Sequence, residues 1–299
     1  MGCTTKLYDI AFIGHYTKDT IVSTSGTRIV DGGAFNYGAN VAARMGLKVA
    51  AITRLAKEDF HVVEKLKGLG VDVFTHISHQ STCLRLEYPT SNVDERVIYV
   101  TSSAGPFTPA EVEKIQAKAI VIGASMRDEV SLEVIVELAK KKTILAADVQ
   151  SFIRINDNGK LVPKEWPEKQ SILSHLDILK TDAVEAEMLT GTSDIQEAAR
   201  KMSNLGPREI LITHRHGLLV YANDQFYEEG FFPKKLIGRS GRGDTCIAAY
   251  MSKRLNASPQ DATIWAAAVT SLKMEAEGPF QQTTKEVNNL IQKKYRNLN

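Results

Sequence analysis

An α/β fold, with a doubly wound and mostly parallel central sheet flanked by helices and a small β-rich lid, is predicted by three observations on this 299-residue chain. Six short apolar runs alternate with helix-period segments, glycines stop the helical patterns, and two β-branched stretches interrupt the alternation. Strands covered on both faces read as near-continuous apolar runs, and each intervening helix supplies the crossover that a parallel pair needs.

Tyr8 to Gly14, Val49 to Thr53, Ala119 to Gly123, Ile144 to Asp148, Leu176 to Lys180 and Glu209 to Thr213 are the predicted core strands. Gly46, Gly70, Gly191 and Gly206 end helical patterns, as expected where the chain turns left-handed. Ile21 to Ile29 and Thr82 to Thr101 carry β-branched and aromatic residues in partial alternation, with turn signals from Pro89 to Asp94. No crossover helix follows either stretch directly, so both are placed outside the main sheet, as lid segments at about residues 15–31 and 82–103. They read as a flap over one edge of a cleft or as two surface hairpins. No Pro-, Gly- or Ser-rich linker and no internal repeat divides the chain, so one domain over residues 1–299 is expected.

Hydrophobic residues make up 43% of the chain and charged residues 24%, which places it among ordinary globular proteins. With 37 basic and 35 acidic residues the net charge is +2, too little for the basic field of a nucleic-acid-binding surface, and no nucleic-acid partner is expected. Cys3, Cys83 and Cys246 are far apart and lack metal-ligand spacing, which argues against a disulfide framework or structural zinc and for a reducing cytoplasm. No apolar run approaches the roughly 18 residues of a membrane span, the N-terminus lacks the pattern of a signal peptide, and Lys6 occupies the hydroxyl position of a myristoylation signal. No membrane association is expected.

The most informative segment runs Ile237-Gly238-Arg239-Ser240-Gly241-Arg242-Gly243-Asp244-Thr245-Cys246 and leads into a helical pattern from Ile247 to Leu255. Gly241 and Gly243 permit a tight turn, and amides at a helix start converge where the macrodipole favours an anion such as phosphate. Asp244 in that turn is placed to accept a hydroxyl proton while the amides stabilise a transferring phosphoryl group. A tight loop with a dipole-compatible aspartate fits the same residues. A GxxxxGK[ST] loop and the His-Arg-Asp and Asp-Phe-Gly motifs are missing, so those kinase mechanisms do not apply.

Gly241 to Asp244 resembles the C-terminal signature of the ribokinase-like (PfkB) carbohydrate kinases, and Asp31-Gly32-Gly33 through Gly46 resembles the N-terminal one. The resemblance extends over nearly the whole chain. It implies a ribokinase-like fold in which Gly241, Arg242 and Gly243 form the anion hole and Asp244 is the catalytic base. It implies further that ATP is the donor, Mg²⁺ the metal, a small polyol or sugar the acceptor, and the lid a possible homodimer contact. On the same resemblance Asp19 binds acceptor hydroxyls and the Gly32-Gly33 pair lies against the acceptor. Asp182 and Glu185 match the Asn-x-x-Glu motif that helps hold Mg²⁺, with aspartate replacing asparagine, and the two residues also suit a helix cap. Arg154, after Asp148-Val149-Gln150, is a phosphate or hydroxyl contact or a surface ion pair. Thr213 and Gly217 fall at nucleotide-contact positions, and the helical pattern from Pro259 to Ala276 falls at the adenine wall.

Three departures stand out. Gly238-Arg239-Ser240 replaces the usual Asp-Thr-Thr, Arg242 brings a cation into the anion hole, and Tyr37, flanked by Asn36 and Asn40, stands where asparagine is common. Arg242 points to solvent or to phosphate, and Asn36 and Tyr37 are taken as acceptor contacts. These departures, with Ile13-Gly14-His15-Tyr16 and Glu277-Gly278-Pro279-Phe280, look most like an archaeal branch that includes a myo-inositol kinase. Ribose, fructose, a ketodeoxysugar acid and a nucleoside are the other acceptors considered, and a non-catalytic binding protein on the same scaffold is the rival reading.

Overall fold

The computed structural model describes residues 6–24, 26–90 and 96–296. Met1-Gly2, Cys3 and residues 91–94 of the expected turn lie outside the described residues. In chain order the strands are β1 (Leu7–Ile13), β2 (Thr17–Ser23), β3 (Gly26–Gly32), β4 (Val49–Leu55), β5 (Asp72–Ile77), β6 (Thr82–Glu87), β7 (Val97–Ser102) and β8 (Gln116–Ile122). They continue with β9 (Ile144–Asp148), β10 (Arg154–Asp157), β11 (Lys160–Pro163), β12 (Ile178–Asp182), β13 (Glu209–Thr213), β14 (Gly217–Ala222) and β15 (Gln225–Gly230).

Nine strands form one sheet in the order β15-β14-β13-β12-β9-β8-β1-β4-β5. Every neighbouring pair from β13 to β5 is parallel, and β14 and β15 extend one edge antiparallel. All six predicted core strands lie in the parallel part. Ile10 of β1 sits between Val49 of β4 and Ala119 of β8. Successive β1 side chains alternate between two apolar layers, as the pleat requires. Ile10 and Phe12 pack with Phe35, Tyr250 and Trp265 from the helices Ala34–Arg44, Arg242–Arg254 and Pro259–Lys273. Ala11 and Ile13 join Val134, Leu138 and Met202 from Leu132–Ala139 and Ile195–Ser203 on the other face. Each fully buried side chain of this kind contributes about 1.5–3 kcal/mol, so the layered core fixes the strand ends that carry the site.

The remaining six strands form a second sheet, ordered β10-β11-β7-β6-β2-β3. The expected lid segments supply four of them, and parallel pairing of β2 with β6 joins two hairpins into one sheet instead of leaving them separate on the surface. The other two strands, β10 and β11, were not expected from the sequence. Their turn is Asn158-Gly159, at φ 50° and 89°, the geometry that lets a two-residue hairpin follow the strand twist. Leu84, Leu86, Val100, Met126 and Leu161 form the lid's own small core.

Helix ends follow the sequence signals. Gly46, Gly70, Gly191 and Gly206 all have positive φ, and Gly191 is the left-handed cap of Ala183–Thr190. Ser258 caps Pro259–Lys273 by accepting from the Asp261 amide. The strand order reverses at β1, with β4 and β5 on one side and β8, β9, β12 and β13 on the other. Ligands of α/β sheets bind beyond the carboxyl ends of strands at such a switch. Cys83 and Cys246 are free thiols. No helix among the described residues is long and apolar enough to cross a membrane.

Candidate active site

A cleft of about 860 Å³ opens at that switch, between the carboxyl ends of the parallel strands and the second sheet. Strand ends bring Ser125, Gln150, Lys180, Asp182 and the Thr213-His214-Arg215-His216 loop to its floor. The lid brings Asp19, Leu84, Leu86, Ile98 and Leu161. Ser240 to Asp244 close the third side. Seven Lys and Arg residues face four Asp and Glu residues across it, a surplus of positive charge suited to a polyanion.

The glycine turn is itself the first turn of a helix, which starts at Arg242 rather than at Ile247. Gly241 is its N-cap at φ 75°, and a side chain there would overlap the Tyr37 ring. The Arg242 amide donates to Arg239 O at 3.1 Å and the Thr245 amide to Gly241 O at 2.9 Å. Between them, the amides of Gly243 and Asp244 have no intrahelical acceptor at the edge of the cleft, an arrangement that suits an anion.

Directly behind Gly243 stands Lys180. Its ammonium donates to Asp148 Oδ2 at 2.8 Å, with both side chains almost wholly buried. Burial works against that charge, but Asp148, then Glu185 and Asp182, more than offset this and hold the lysine pKa above its usual value. Beside it, Arg154 donates to Glu185 Oε1 at 3.0 Å. Glu185 Oε2 accepts from the Asp182 amide at 3.0 Å, and Asp182 Oδ1 accepts from the Glu185 amide at 2.8 Å. The helix-cap reading of Asp182 and Glu185 therefore holds, and Arg154 forms an ion pair inside the cleft rather than on the surface.

Asp244, half-buried, faces the same cleft from the third side. Burial raises its pKa, while Lys180, Arg154, Lys273 and Arg96 oppose the rise. Asp19 projects from β2 toward the same space, 5% exposed, with Oδ1 lacking any hydrogen-bond partner. Burial pushes its pKa up to about 7, Thr17 opposes this, and the charge of Asp244 raises it further. A Cβ at Gly32 would come within 2.5 Å of Asp19 Oδ2, so the glycine leaves room for the carboxylate.

The structure thus brings together Asp19, Gly33, Tyr37, Arg154, Asp182, Glu185, Thr213 and Gly241 to Asp244. Three predicted contacts do not line the cleft, Gly32 because it packs under the Thr17 and Asp19 side chains. Asn36 turns away on the helix Ala34–Arg44, donates to Asp31 O at 3.1 Å and lines a separate pocket of about 360 Å³. Gly217 starts β14 packed against Glu229 and Gly230 of β15. The helix Pro259–Lys273, expected as an adenine wall, contributes no side chain to the cleft among the described residues. Lys180 and Arg96 were not singled out. A lysine closing an apolar strand run gives no sign of pointing inward, and Arg96 gains meaning only once β7 is seen to carry it over the floor.

Fold and cleft together define a phosphotransferase of the sugar-kinase type. Residues 8–285 match the model of the pfkB family carbohydrate kinases, and the chain belongs to that family. Among solved structures, a pyrophosphate-dependent kinase of the ribokinase family in a sulfate complex is 37% identical, with TM-score 0.87, over 93% of this chain and 99% of that one. A pyrophosphate-dependent ribokinase-family kinase complexed with a pyrophosphate analogue and myo-inositol is 36% identical, also at TM-score 0.87, over 94% and 99%. Among curated proteins, the cytidine kinase of Thermococcus kodakarensis is 24% identical over 82% of this chain and 88% of its own length.

Proposed function

We propose that this kinase phosphorylates a hydroxyl of myo-inositol and that its donor is pyrophosphate. The observation that carries the donor assignment is Arg242 in the first turn of the anion-site helix, lining the cleft with its guanidinium 6.0 Å from the Phe231 ring. Burial depresses its pKa and Arg96 adds to that. Burial pushes neighbouring Arg239 down to about 10, with Arg242 contributing. Arginines held close at one end of a cleft suit a compact anion with charge on both phosphates. The two neighbours at 37% and 36% identity, both pyrophosphate-dependent, support the same reading.

In this reading Asp19 accepts hydrogen bonds from the acceptor's hydroxyls, and Asp244 takes the proton of the attacking one. The Gly243 and Asp244 amides, Lys180 and Arg242 stabilise the transferring phosphoryl group, and orthophosphate leaves. Glu185 is already engaged by Arg154 and the cap, so it and Asp182 fit Mg²⁺ only through waters that the ion retains. Bound that way, the ion would neutralise charge on the donor. The lid's apolar Leu84, Leu86 and Leu161 keep water from the acceptor end.

ATP is the second reading, favoured by Phe232, Leu236 and Ile237, which are 37–50% exposed on the segment leading to the anion site and offer a purine an apolar surface. Phosphorus NMR of the purified protein with pyrophosphate or ATP, crossed with myo-inositol, ribose, fructose, cytidine and 2-dehydro-3-deoxygluconate, decides both questions. A new phosphomonoester resonance with myo-inositol and pyrophosphate is expected. Turnover with ATP alone would remove the donor assignment, and turnover of another acceptor alone would remove the inositol assignment.

A further inference from the structure

The underside of the anion site holds a second buried lysine that the phosphoryl-transfer scheme does not use. Lys273, in the last turn of Pro259–Lys273, is 1% exposed. Its ammonium donates to Gly238 O at 3.0 Å and to Ser240 O, and lies 5.5 Å from the centre of the Tyr37 ring. Tyr37 in turn backs Gly241, the N-cap of the anion-site helix. Gly238 is itself wedged, since a Cβ there would come within 2.9 Å of Glu277 Cα, and its amide donates to Met274 O at 3.1 Å.

An ammonium buried this deeply is costly unless acceptors surround it. Here the acceptors are main-chain carbonyls of two of the three residues leading into Gly241, Gly238 and Ser240, so the charge holds that backbone in place. Resting on the reading of Gly241 to Asp244 as the anion site, we propose that Lys273 is a positioning residue that clamps segment 238–241 and, through Tyr37, fixes Gly241 so that the Gly243 and Asp244 amides stay aimed at the phosphoryl group. The groups facing its charge are Glu277 and Asp244, which favour the ammonium, Arg242, which opposes it, and Tyr37; Glu277 is itself paired with Arg28 at 2.6 Å. Burial dominates and brings the lysine pKa down to about 8, so the clamp weakens as pH rises past that value.

The test compares Lys273→Met, Lys273→Arg and Asp244→Asn with the parent by hydrogen exchange of the peptide covering residues 236–244, by thermal unfolding and by steady-state kinetics. In Lys273→Met, exchange in that peptide accelerates at least about tenfold and kcat falls about 100-fold, the scale of losing an oxyanion donor, while KM for the acceptor stays within about threefold. Lys273→Arg recovers protection and at least about a tenth of parental kcat, and its alkaline kcat limb moves above that of the parent. Unchanged exchange in Lys273→Met, kcat within about threefold of parent, no recovery by arginine, or a Lys273→Met chain that does not fold would each overturn the proposal. Asp244→Asn separates the two readings, because parental turnover there defeats the catalytic reading of this turn by removing its base, while the exchange data still report on the clamp.

Discussion

A Cβ placed on Gly243 would come within 2.5 Å of Lys180 Nζ, so the backbone of the anion site lies directly on a buried ammonium. That lysine cannot swing aside cheaply, because Asp148 holds it at 2.8 Å. The ion pair thus supports the helix start and, in the proposed mechanism, adds positive charge below the phosphoryl position.

Gly243→Ala must displace Lys180 or lift the helix turn. It is expected to lower kcat at least about tenfold with little change in acceptor KM, because the interaction lost is made in the transition state. Steady-state kinetics on the folded variant measure this.

Lys180→Met leaves Asp148 buried without its partner. Loss of about 3–5 kcal/mol of stability is expected, and Lys180→Met combined with Asp148→Asn should recover most of it without recovering turnover. Urea unfolding read beside kcat separates support of the fold from support of the reaction.

Asp19 links function to pH. A carboxyl whose pKa rises from 3.8 to about 7 on folding holds its proton more tightly in the folded chain. Stability from this group is therefore greatest in acid and declines as pH climbs through that window, by up to roughly 4 kcal/mol. Asp19→Asn should accordingly raise the melting temperature at pH 8 while abolishing most acceptor turnover. In the parent, kcat/KM for the acceptor should fall below about pH 7 as the free carboxyl protonates. A variant no more stable than the parent at pH 8 would contradict the burial cost assigned to Asp19.

Arg242→Ala is expected to raise donor KM about tenfold or more and leave acceptor KM near its parental value, since a charge-assisted contact to phosphate contributes about 1.5–3 kcal/mol. Initial-rate measurements with each substrate varied in turn resolve the two constants.

The parallel strands were legible because burial on both faces leaves unbroken apolar runs such as Ile10 to Ile13 and Ile210 to Ile212. β5 escaped notice because an edge strand needs no such run: Asp72 and Thr75 interrupt it, and Phe74 and Ile77 are 39% and 64% exposed. The hairpins β10–β11 and β14–β15 were overlooked although Asn158-Gly159 and Asn223-Asp224, all at positive φ, are sound turn signals. Asp244 was found through its glycine neighbours, which mark places where backbone and ligand approach closely, whereas Asp19 was reached only through the family resemblance. Lys180 and Lys273 carry no such mark. Lys273 reads as an ordinary basic residue completing a helix, and only the packing of Gly238 and Ser240 against it shows where its charge goes.

The most direct test is the turnover of Asp244→Asn, followed by phosphorus NMR on the donor and acceptor pair that the parent uses, with binding of each measured by calorimetry. Loss of kcat by about three orders of magnitude or more, with both affinities preserved, is the predicted result for removal of the catalytic base. Turnover within about tenfold of the parent would show that another group takes the hydroxyl proton and would contradict the role assigned to Asp244.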